Sequence, residues 1–450
     1  MLDRQKYARV LTGIINLHPT GFVLAINNKW GTGKTTFIKM WEQELKDDDF
    51  KTLYFNAWEN DFENNPLTAL MGELKTLTKE PNEPKFGKAL KNAAMLSKHI
   101  APIMVQAIVD RYVINTELLK DAIVDVSRGV NDIFENEVNE YANKKKNIKE
   151  FRNSLSDFIS KVNKAKPLIF IIDELDRCRP NYAVSILEQI KHFFSVPNIV
   201  FVLSIDKVQL GNAVRGVYGS DAIDSDEYLR RFIDIEYSIP EPDKGSYYNY
   251  LYNYFDFDNF FNSEIRRENH ALTSDGREFL NVSEVLFKDT SLSLRKQEKI
   301  FAHARLALRS YNARQPVVPS VFLLMVYLKV VDDSFYSEIR KKALTIEQLQ
   351  QKFLTLVQGE VTKERNRELL WLEGYLILFY NNFVYTPHTR EHVYKRNTAG
   401  EKELVIKSVT NPLEEKGLLS VFDEIDRKGI GDFEIDRFLK RIDLTEHIHI

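Results

Sequence analysis

The sequence predicts an α/β fold with a parallel sheet, a helical insertion and a mainly helical C-terminal region. Short apolar runs at residues 22–26, 168–172 and 199–203 are typical of strands buried on both faces of a sheet. A further run at residues 51–55 favours another strand, and helical spacing between the runs favours parallel strands joined by helices. Beyond residue 243 the pattern is helical and aromatic, so we expect mainly helices there.

The run at residues 22–26 leads into a glycine-rich turn, and helical spacing resumes at Phe37. Glycines let successive backbone N–H groups turn toward an anion, and a helix N-terminus adds unpaired donors and the positive end of its dipole. Strand, turn and helix together predict a phosphate-binding loop. The predicted nucleotide-binding residues are Asn28, Lys29, Trp30, Gly31, Thr32, Gly33, Lys34, Thr35 and Thr36.

Three positions of this loop have specific expectations. In the pattern G-x-x-x-x-G-K-[ST], Lys34 reaches the β- and γ-phosphates and assists catalysis, while the Thr35 hydroxyl is a ligand of Mg²⁺. Asn28 stands where the pattern has its first glycine. Because Asn adopts positive φ more readily than other non-glycine residues, we expect Asn28 to preserve the turn. The substitution leaves turnover open, whereas binding is expected.

A second motif follows the apolar run at residues 168–172, where Asp173 and Glu174 stand at the end of a predicted buried strand. The carboxyl ends of parallel strands form the ligand-binding edge of an open α/β sheet. We expect Asp173 to hold Mg²⁺ through its water shell. Glu174 is the predicted catalytic residue that orients the water attacking the γ-phosphorus.

Four further polar residues are candidates with an alternative each. Ser204 follows the run at residues 199–203 and either contacts the γ-phosphate or forms a turn. Arg230 and Arg231 precede another apparent strand and either stabilise transition-state charge, in cis or across a subunit boundary, or form surface ion pairs. Arg295 begins an amphipathic helix and either moves with a lid toward the nucleotide or is an exposed helix residue.

Composition limits the class of protein. The chain has 450 residues, 44% of them hydrophobic, and a formal net charge of −3, which indicates a globular protein without general attraction to nucleic acid. Its one cysteine, Cys178, excludes an intramolecular disulfide, so a reducing cytoplasm is the expected compartment. No apolar stretch reaches the ~20 residues of a membrane span, and residues 93–109 are interrupted by charge and proline.

The motifs together resemble the KAP family of P-loop NTPases. The resemblance is carried by residues 29–35 with their tryptophan, by Phe55-Asn56-Ala57-Trp58, and by Asp173-Glu174-Leu175-Asp176-Arg177-Cys178, in that order. It extends to residues 201–206, 228–232 and 293–295, and so spans roughly residues 3 to 300.

The resemblance implies an ATPase core with ATP and Mg²⁺ as cofactors and a helical insertion between its two nucleotide motifs. The expected division is a first part of the core at residues 1–80, an insertion at 81–165, a second part of the core at 166–242, a helical lid at 243–345 and a C-terminal helical region at 346–450. Many family members carry membrane helices in the insertion, and the interrupted segment at residues 93–109 departs from that pattern.

The expected activity is a nucleotide-driven conformational switch that acts through a partner protein or a homo-oligomer. Bacterial members of the family are often associated with phage exclusion, so antiviral defence is the biological role that the resemblance suggests. The alternative is a nucleotide-gated scaffold that binds a partner protein without hydrolysis. A nucleic-acid motor would need a basic surface that the composition does not indicate, so nucleic acid is left open as a partner.

Overall fold

The computed structural model describes residues 3–18, 20–63, 65–79, 83–96, 132–162, 166–219, 222–287, 292–357, 366–386 and 415–444, with shorter stretches between 388 and 411. The chain divides into two compact units, with Glu241 at the end of the first and Pro242 at the start of the second.

The first unit is built on a five-stranded parallel sheet with the strand order β2-β3-β4-β1-β5. Its strands are β1 Val23–Asn27, β2 Thr52–Asn56, β3 Leu168–Asp173, β4 Ile199–Ile205 and β5 Ile235–Tyr237. The predictions of an α/β fold and of strands at residues 22–26, 51–55, 168–172 and 199–203 are confirmed to within two residues.

Helices cover both faces of this sheet. They are α1 Gln5–Leu17, α2 Lys34–Asp47, α3 Pro66–Lys75, α4 Glu83–Leu96, α5 Asp132–Val162, α6 Pro180–His192, α7 Lys207–Tyr218 and α8 Ser225–Arg230. Side chains alternate along β3, so that Ile169 and Ile171 pack with α1 and α2, whereas Phe170 and Ile172 face α3, α5 and α6. Burial on both faces explains the uninterrupted apolar runs of the central strands.

The described parts of the predicted insertion are helical. Helices α4 and α5 pack together through the rings of Phe86 and Phe158, whose centroids are 5.2 Å apart, and through a 3.1 Å hydrogen bond from Asn92 to Ser154. Most of the interrupted apolar segment at residues 93–109 lies outside the described residues. Within the described chain, none of the helices is long and apolar enough to cross a bilayer.

The second unit is mainly helical, and a two-stranded antiparallel hairpin is its sheet structure among the described residues. Its helices are α9 Lys244–Tyr254, α10 Asp258–Phe261, α11 Glu264–Arg267, α12 Asp275–Phe287, α13 Leu294–Leu308, α14 Pro319–Val331, α15 Asp333–Arg340, α16 Ile346–Val357, α17 Asn366–Val384, α18 Glu415–Arg427 and α19 Asp436–Ile442, and its strands are β6 Tyr394–Arg396 and β7 Lys402–Leu404. Helix α14 is buried along most of its length and forms the centre of this unit's core.

A buried carboxylate holds one loop of the second unit in place. Glu373 on α17 is 1% exposed and accepts hydrogen bonds from the Ser408 hydroxyl at 2.7 Å, the Val409 N–H at 2.8 Å and the Thr410 hydroxyl at 2.5 Å. The side-chain amide of Gln350 donates to the same carboxylate at 2.8 Å. These donors satisfy the charge that burial would otherwise disfavour.

We therefore expect Glu373→Ala to destabilise the second unit by about 3 kcal/mol, because several buried donors lose their acceptor. Calorimetric unfolding should show a fall in melting temperature of roughly 10 °C for a unit of this size. The control is Glu368→Ala, which removes an exposed glutamate from the same helix and should change stability by no more than about 0.5 kcal/mol. Equal effects of the two substitutions would contradict the prediction.

Candidate functional site

The predicted site residues lie along the carboxyl edge of the parallel sheet. In the strand register Ser204 of β4 lies between Ile26 of β1 and Asp173 of β3. On the other side of β3, Asp173 is paired with Asn56, the last residue of β2. Parallel pairing therefore brings the polar ends of four strands to the same edge, beside the loop that leaves β1.

The glycine-rich loop has the backbone of an anion cradle. Gly31 and Gly33 have φ values of 78° and 79°, a region that favours glycine, and Gly33 is the residue before the first turn of α2. The Thr32 hydroxyl donates to the Lys29 carbonyl at 2.9 Å and closes the turn. Lys34 and Thr35 begin α2, where the N–H groups of a first helical turn are available to a phosphate.

Asn28 preserves the loop in a different way from the one expected. The φ angle of Asn28 is not positive, so the predicted left-handed conformation is wrong. Its side-chain amide instead donates to the Ile239 carbonyl at 2.7 Å and accepts from the Ile239 N–H at 2.9 Å. Asn28 thus pairs with the backbone beyond β5 in the manner of a peptide group, which glycine cannot do.

Lys34 is the partly buried cation of the site. Its ammonium donates to the carbonyl of Asn28 and, at 3.2 Å, to the carbonyl of Lys29. Burial lowers the pKa of Lys34, and the nearby carboxylates of Asp176, Asp206 and Asp173, in decreasing order of effect, oppose that fall in pKa. Lys34 and Asp173, predicted from separate motifs, are therefore electrostatic neighbours.

Asp173 is buried with its carboxylate oriented by two donors. It is 1% exposed and accepts from the Tyr54 hydroxyl at 2.9 Å and from the Glu174 N–H at 2.9 Å. Burial and the Asp173 charge raise the pKa of Tyr54, so its hydroxyl retains its proton and serves as a donor. Tyr54 was not among the predicted site residues, although its place near the end of β2 could have indicated it.

Glu174 has an unusual backbone and an occupied carboxylate. Its φ of 61° is uncommon for a non-glycine residue, and such values are concentrated at functional sites. One carboxylate oxygen pairs with Arg177 at 2.5 Å, and the other accepts from the Asn56 side chain at 3.3 Å. Arg177 in turn lies 5.7 Å from the ring centre of the exposed Trp58.

The loop is fastened to the rest of the site by Trp30. Its indole N–H donates to the Asp176 carboxylate, and its backbone N–H donates to the Asp206 carboxylate at 3.2 Å. Burial raises the pKa of Asp176, whereas the Trp30 hydrogen bond and the Lys34 charge lower that pKa. Asp206 also caps the N-terminus of α7. Neither aspartate was predicted as a site residue.

Arg4 was missed as well. It is 7% exposed, and its guanidinium donates to the carbonyls of Thr32 at 3.0 Å, Gly33 at 3.3 Å and Pro240 at 3.3 Å. It thus joins the glycine-rich loop to the segment that follows β5. An arginine ahead of an amphipathic helix carries no sequence signal for this role.

The three predicted arginines are all exposed. Arg230 is exposed and pairs with Glu227 at 3.2 Å, as its surface alternative predicted, and Arg231 is also exposed. Arg295 is exposed in the first turn of α13, in the second unit. The roles of these arginines at the nucleotide stay predictions.

A family model described as the KAP family P-loop domain matches residues 4–315. The chain belongs to the KAP family. Its loop and sheet edge are accordingly those of a nucleotide-binding P-loop NTPase.

Among solved structures, the chain is similar to the ORC2 protein of Aeropyrum pernix, described as ADPNP–ADP complexes. The sequence identity is 12% and the TM-score 0.32, over 98% of this chain and 92% of that chain. No curated protein matches the sequence.

The balance of charge around Lys34 predicts a pH effect. In Asp176→Asn the side chain keeps its shape and can still accept from Trp30, but the carboxylate that most strongly opposes the lowered pKa of Lys34 is gone. The pKa of Lys34 should fall further, so the ammonium loses its proton at a lower pH. Nucleotide binding should therefore have a lower alkaline limit, which means that it is lost at a lower pH than in the wild type.

This limit can be measured as the Kd of a non-hydrolysable ATP analogue from neutral to alkaline pH. The control is Asp47→Asn at the far end of the same helix, about 20 Å away along its axis. An alkaline limit that is the same in Asp176→Asn and in Asp47→Asn would refute the assignment.

Proposed function

We propose that the protein binds ATP with Mg²⁺ and hydrolyses it. The observation that carries the proposal is the meeting of Lys34, Asp173 and Ser204 at one sheet edge, beside a loop whose backbone forms an anion cradle. A cation for the phosphates, a carboxylate for the metal and a hydroxyl are the groups that P-loop phosphoryl transfer uses.

The donor chemistry fits Mg²⁺. This ion takes oxygen ligands and is usually held by one or two carboxylates or hydroxyls together with phosphate oxygens and water. The Asp173 carboxylate, oriented by Tyr54, and the Thr35 hydroxyl in the first turn of α2 would supply the protein's share. The metal, when bound, neutralises charge on the phosphates. Among the described residues there is no cluster of three or more ligating side chains that would form a metal site by itself.

Glu174 is the residue we assign to the attacking water. Its carboxylate is bound by Arg177 and Asn56, so these two side chains set its position before it acts. To orient and polarise a water molecule, Glu174 must give up at least one of these partners. Arg177 and Asn56 are therefore positioning residues for the catalytic carboxylate.

Ser204 is well suited to contact the γ-phosphate. Its side chain is fully buried, yet its hydroxyl has no hydrogen-bond partner among the residues that the structure describes. A buried hydroxyl without a partner is unfavourable by about 1–3 kcal/mol, and such cases in native proteins commonly mark a function. Ser204 is paired with Asp173 in the sheet, so a phosphate oxygen of the nucleotide is the partner we expect for its hydroxyl.

The wider proposal is a cytoplasmic conformational switch. Arg230 or Arg231 would act on the transition state of the same or a neighbouring subunit, and Arg295 would belong to a lid at residues 243–345 that responds to the nucleotide. The switch would act on a partner protein or within a homo-oligomer. We extend the proposal to antiviral defence on the family resemblance alone.

A second candidate is a nucleotide-gated scaffold that does not turn over. The occupied carboxylate of Glu174 favours it, because a carboxylate held by Arg177 and Asn56 is not free to polarise water. Such a protein would bind ATP tightly and hold a partner in the bound state.

The test is ATP binding and hydrolysis by the wild type, Lys34→Ala and Glu174→Gln. We expect Lys34→Ala to weaken ATP binding about 10- to 100-fold, because a charge-assisted contact is lost. Glu174→Gln should bind ATP normally but hydrolyse it about 10²- to 10⁴-fold more slowly.

The control for Lys34→Ala is Lys46→Ala, which removes a surface lysine of the same helix that pairs with Glu42. Absence of Mg²⁺-dependent ATP binding in the wild type would sink the proposal. Tight ATP binding by the wild type, with no turnover above that of Glu174→Gln, would favour the scaffold.

Ser204→Ala separates a functional hydroxyl from a structural one. Because that hydroxyl is buried without a partner among the described residues, its removal should not lower the free energy of unfolding and should raise it by up to about 1–3 kcal/mol. Turnover should nevertheless fall about 10- to 100-fold, since a bond to charged phosphate is lost.

The matched control is Ser154→Ala. Ser154 is equally buried but donates to the Phe151 carbonyl at 2.9 Å and accepts from Asn92 at 3.1 Å. It should lose about 1 kcal/mol of stability and no turnover. Wild-type turnover in Ser204→Ala would contradict a contact with the γ-phosphate.

A further inference from the structure

The segment from β5 to the end of the first unit is bound to the phosphate loop at two points. β5 ends at Tyr237, and the segment continues through Ile239 and Pro240 to the last residue of the unit, Glu241. Asn28 contacts Ile239 and Arg4 contacts Pro240, so both contacts fall within the residues that lead to the unit boundary.

The Asn28 contact uses both hydrogen-bonding groups of one backbone residue. The amide of Asn28 donates to the Ile239 carbonyl at 2.7 Å and accepts from the Ile239 N–H at 2.9 Å, while its own N–H donates to the Ile205 carbonyl at 3.1 Å. Asn28 is therefore fixed between the end of β4 and the segment after β5. A glycine at this position would keep the backbone bond and lose both bonds to Ile239.

Arg4 supplies the second contact. Its buried guanidinium spans the carbonyls of Thr32 and Gly33 on the loop and of Pro240 on the segment. A planar guanidinium can donate in several directions at fixed angles, which suits it to bridge two pieces of backbone. A shift of the loop relative to the segment would break at least one of these bonds.

Lys34 connects these contacts to the nucleotide. Its ammonium donates to the carbonyl of Asn28, the same residue whose side chain holds Ile239. A P-loop lysine that binds β- and γ-phosphates directs its donors toward them. Lys34 would then release or weaken its bond to Asn28, and Asn28 would lose one of the bonds that fix its position.

We propose that Asn28 and Arg4 are positioning residues that couple nucleotide binding at the phosphate loop to the Ile239–Pro240 segment. This inference rests on the nucleotide binding of the proposed function and names the part of the chain that responds to it. It also assigns a role to the asparagine that replaces the first glycine of the loop pattern: Asn28 binds the segment and is not a phosphate ligand.

The residues beyond Ile239 are suited to transmit such a displacement. Pro240 and Pro242 both have φ fixed by their rings, and proline also restricts the residue before it. A stiff segment passes a movement along the chain, whereas a glycine-rich one would absorb it in its own dihedral angles.

Hydrogen–deuterium exchange at the Ile239 amide tests the coupling, because that N–H is bonded to Asn28 in the wild type. We expect Mg²⁺ with a saturating non-hydrolysable ATP analogue to speed exchange at Ile239 by about five- to tenfold, the equivalent of one weakened hydrogen bond. In Asn28→Gly, exchange at Ile239 should already be fast without nucleotide and should not respond to it.

Two further variants make the test specific. Asn28→Asp keeps an acceptor for the Ile239 N–H but loses the donor to its carbonyl, so its response should be reduced. Arg4→Lys keeps the charge but offers one nitrogen in place of the bridging guanidinium, and should also reduce the response. Its control is Arg9→Lys, on the exposed side of α1, which should respond as the wild type does.

The binding of the analogue is measured separately by titration calorimetry for every variant. If the wild type binds the analogue but Ile239 exchange is unchanged, or if Asn28→Gly keeps the full response, the coupling is overturned and the proposed function stands. If the wild type does not bind the analogue, the proposed function fails and the coupling fails with it.

Discussion

Parallel pairing of the strands is the constraint on which the rest of the first unit depends. In the order β2-β3-β4-β1-β5 every strand ends at the same edge of the sheet. This pairing alone makes neighbours of Asn56, Asp173, Ser204 and the loop after Asn27. Hydrogen bonding within the sheet satisfies the backbone of the strands, whereas the polar ends beyond it remain available to a ligand. The chemistry of the site follows from this placement.

A balance of buried charge stabilises the edge. Lys34 lies near Asp173, Asp176 and Asp206, and the carboxylates retain its charge against the desolvation that lowers its pKa. Asp176 and Asp206 also accept from Trp30, so the groups that balance the cation hold the loop as well. The same groups therefore set both the charge of Lys34 and the position of the loop.

Different side-chain contacts restrain the two ends of the site. Next to β3, Glu174 is restrained by Arg177 and Asn56, so its proposed action on water would require a change of partners. Next to β5, Asn28 and Arg4 hold the segment that ends the first unit. A nucleotide between them would act on both through the same loop and sheet edge, which is the physical basis of the proposed switch.

The sequence by itself determined what depends on neighbours along the chain. The strands follow from apolar runs, the cradle from Gly31 and Gly33, and the positions of Lys34 and Asp173 from the strand ends that precede them. Only the tertiary structure decided the contacts of Asn28 with Ile239, Trp30 with Asp176 and Tyr54 with Asp173, whose partners are 211, 146 and 119 residues apart. Such pairs leave no local pattern, because each donor finds its acceptor only when packing has removed water from both.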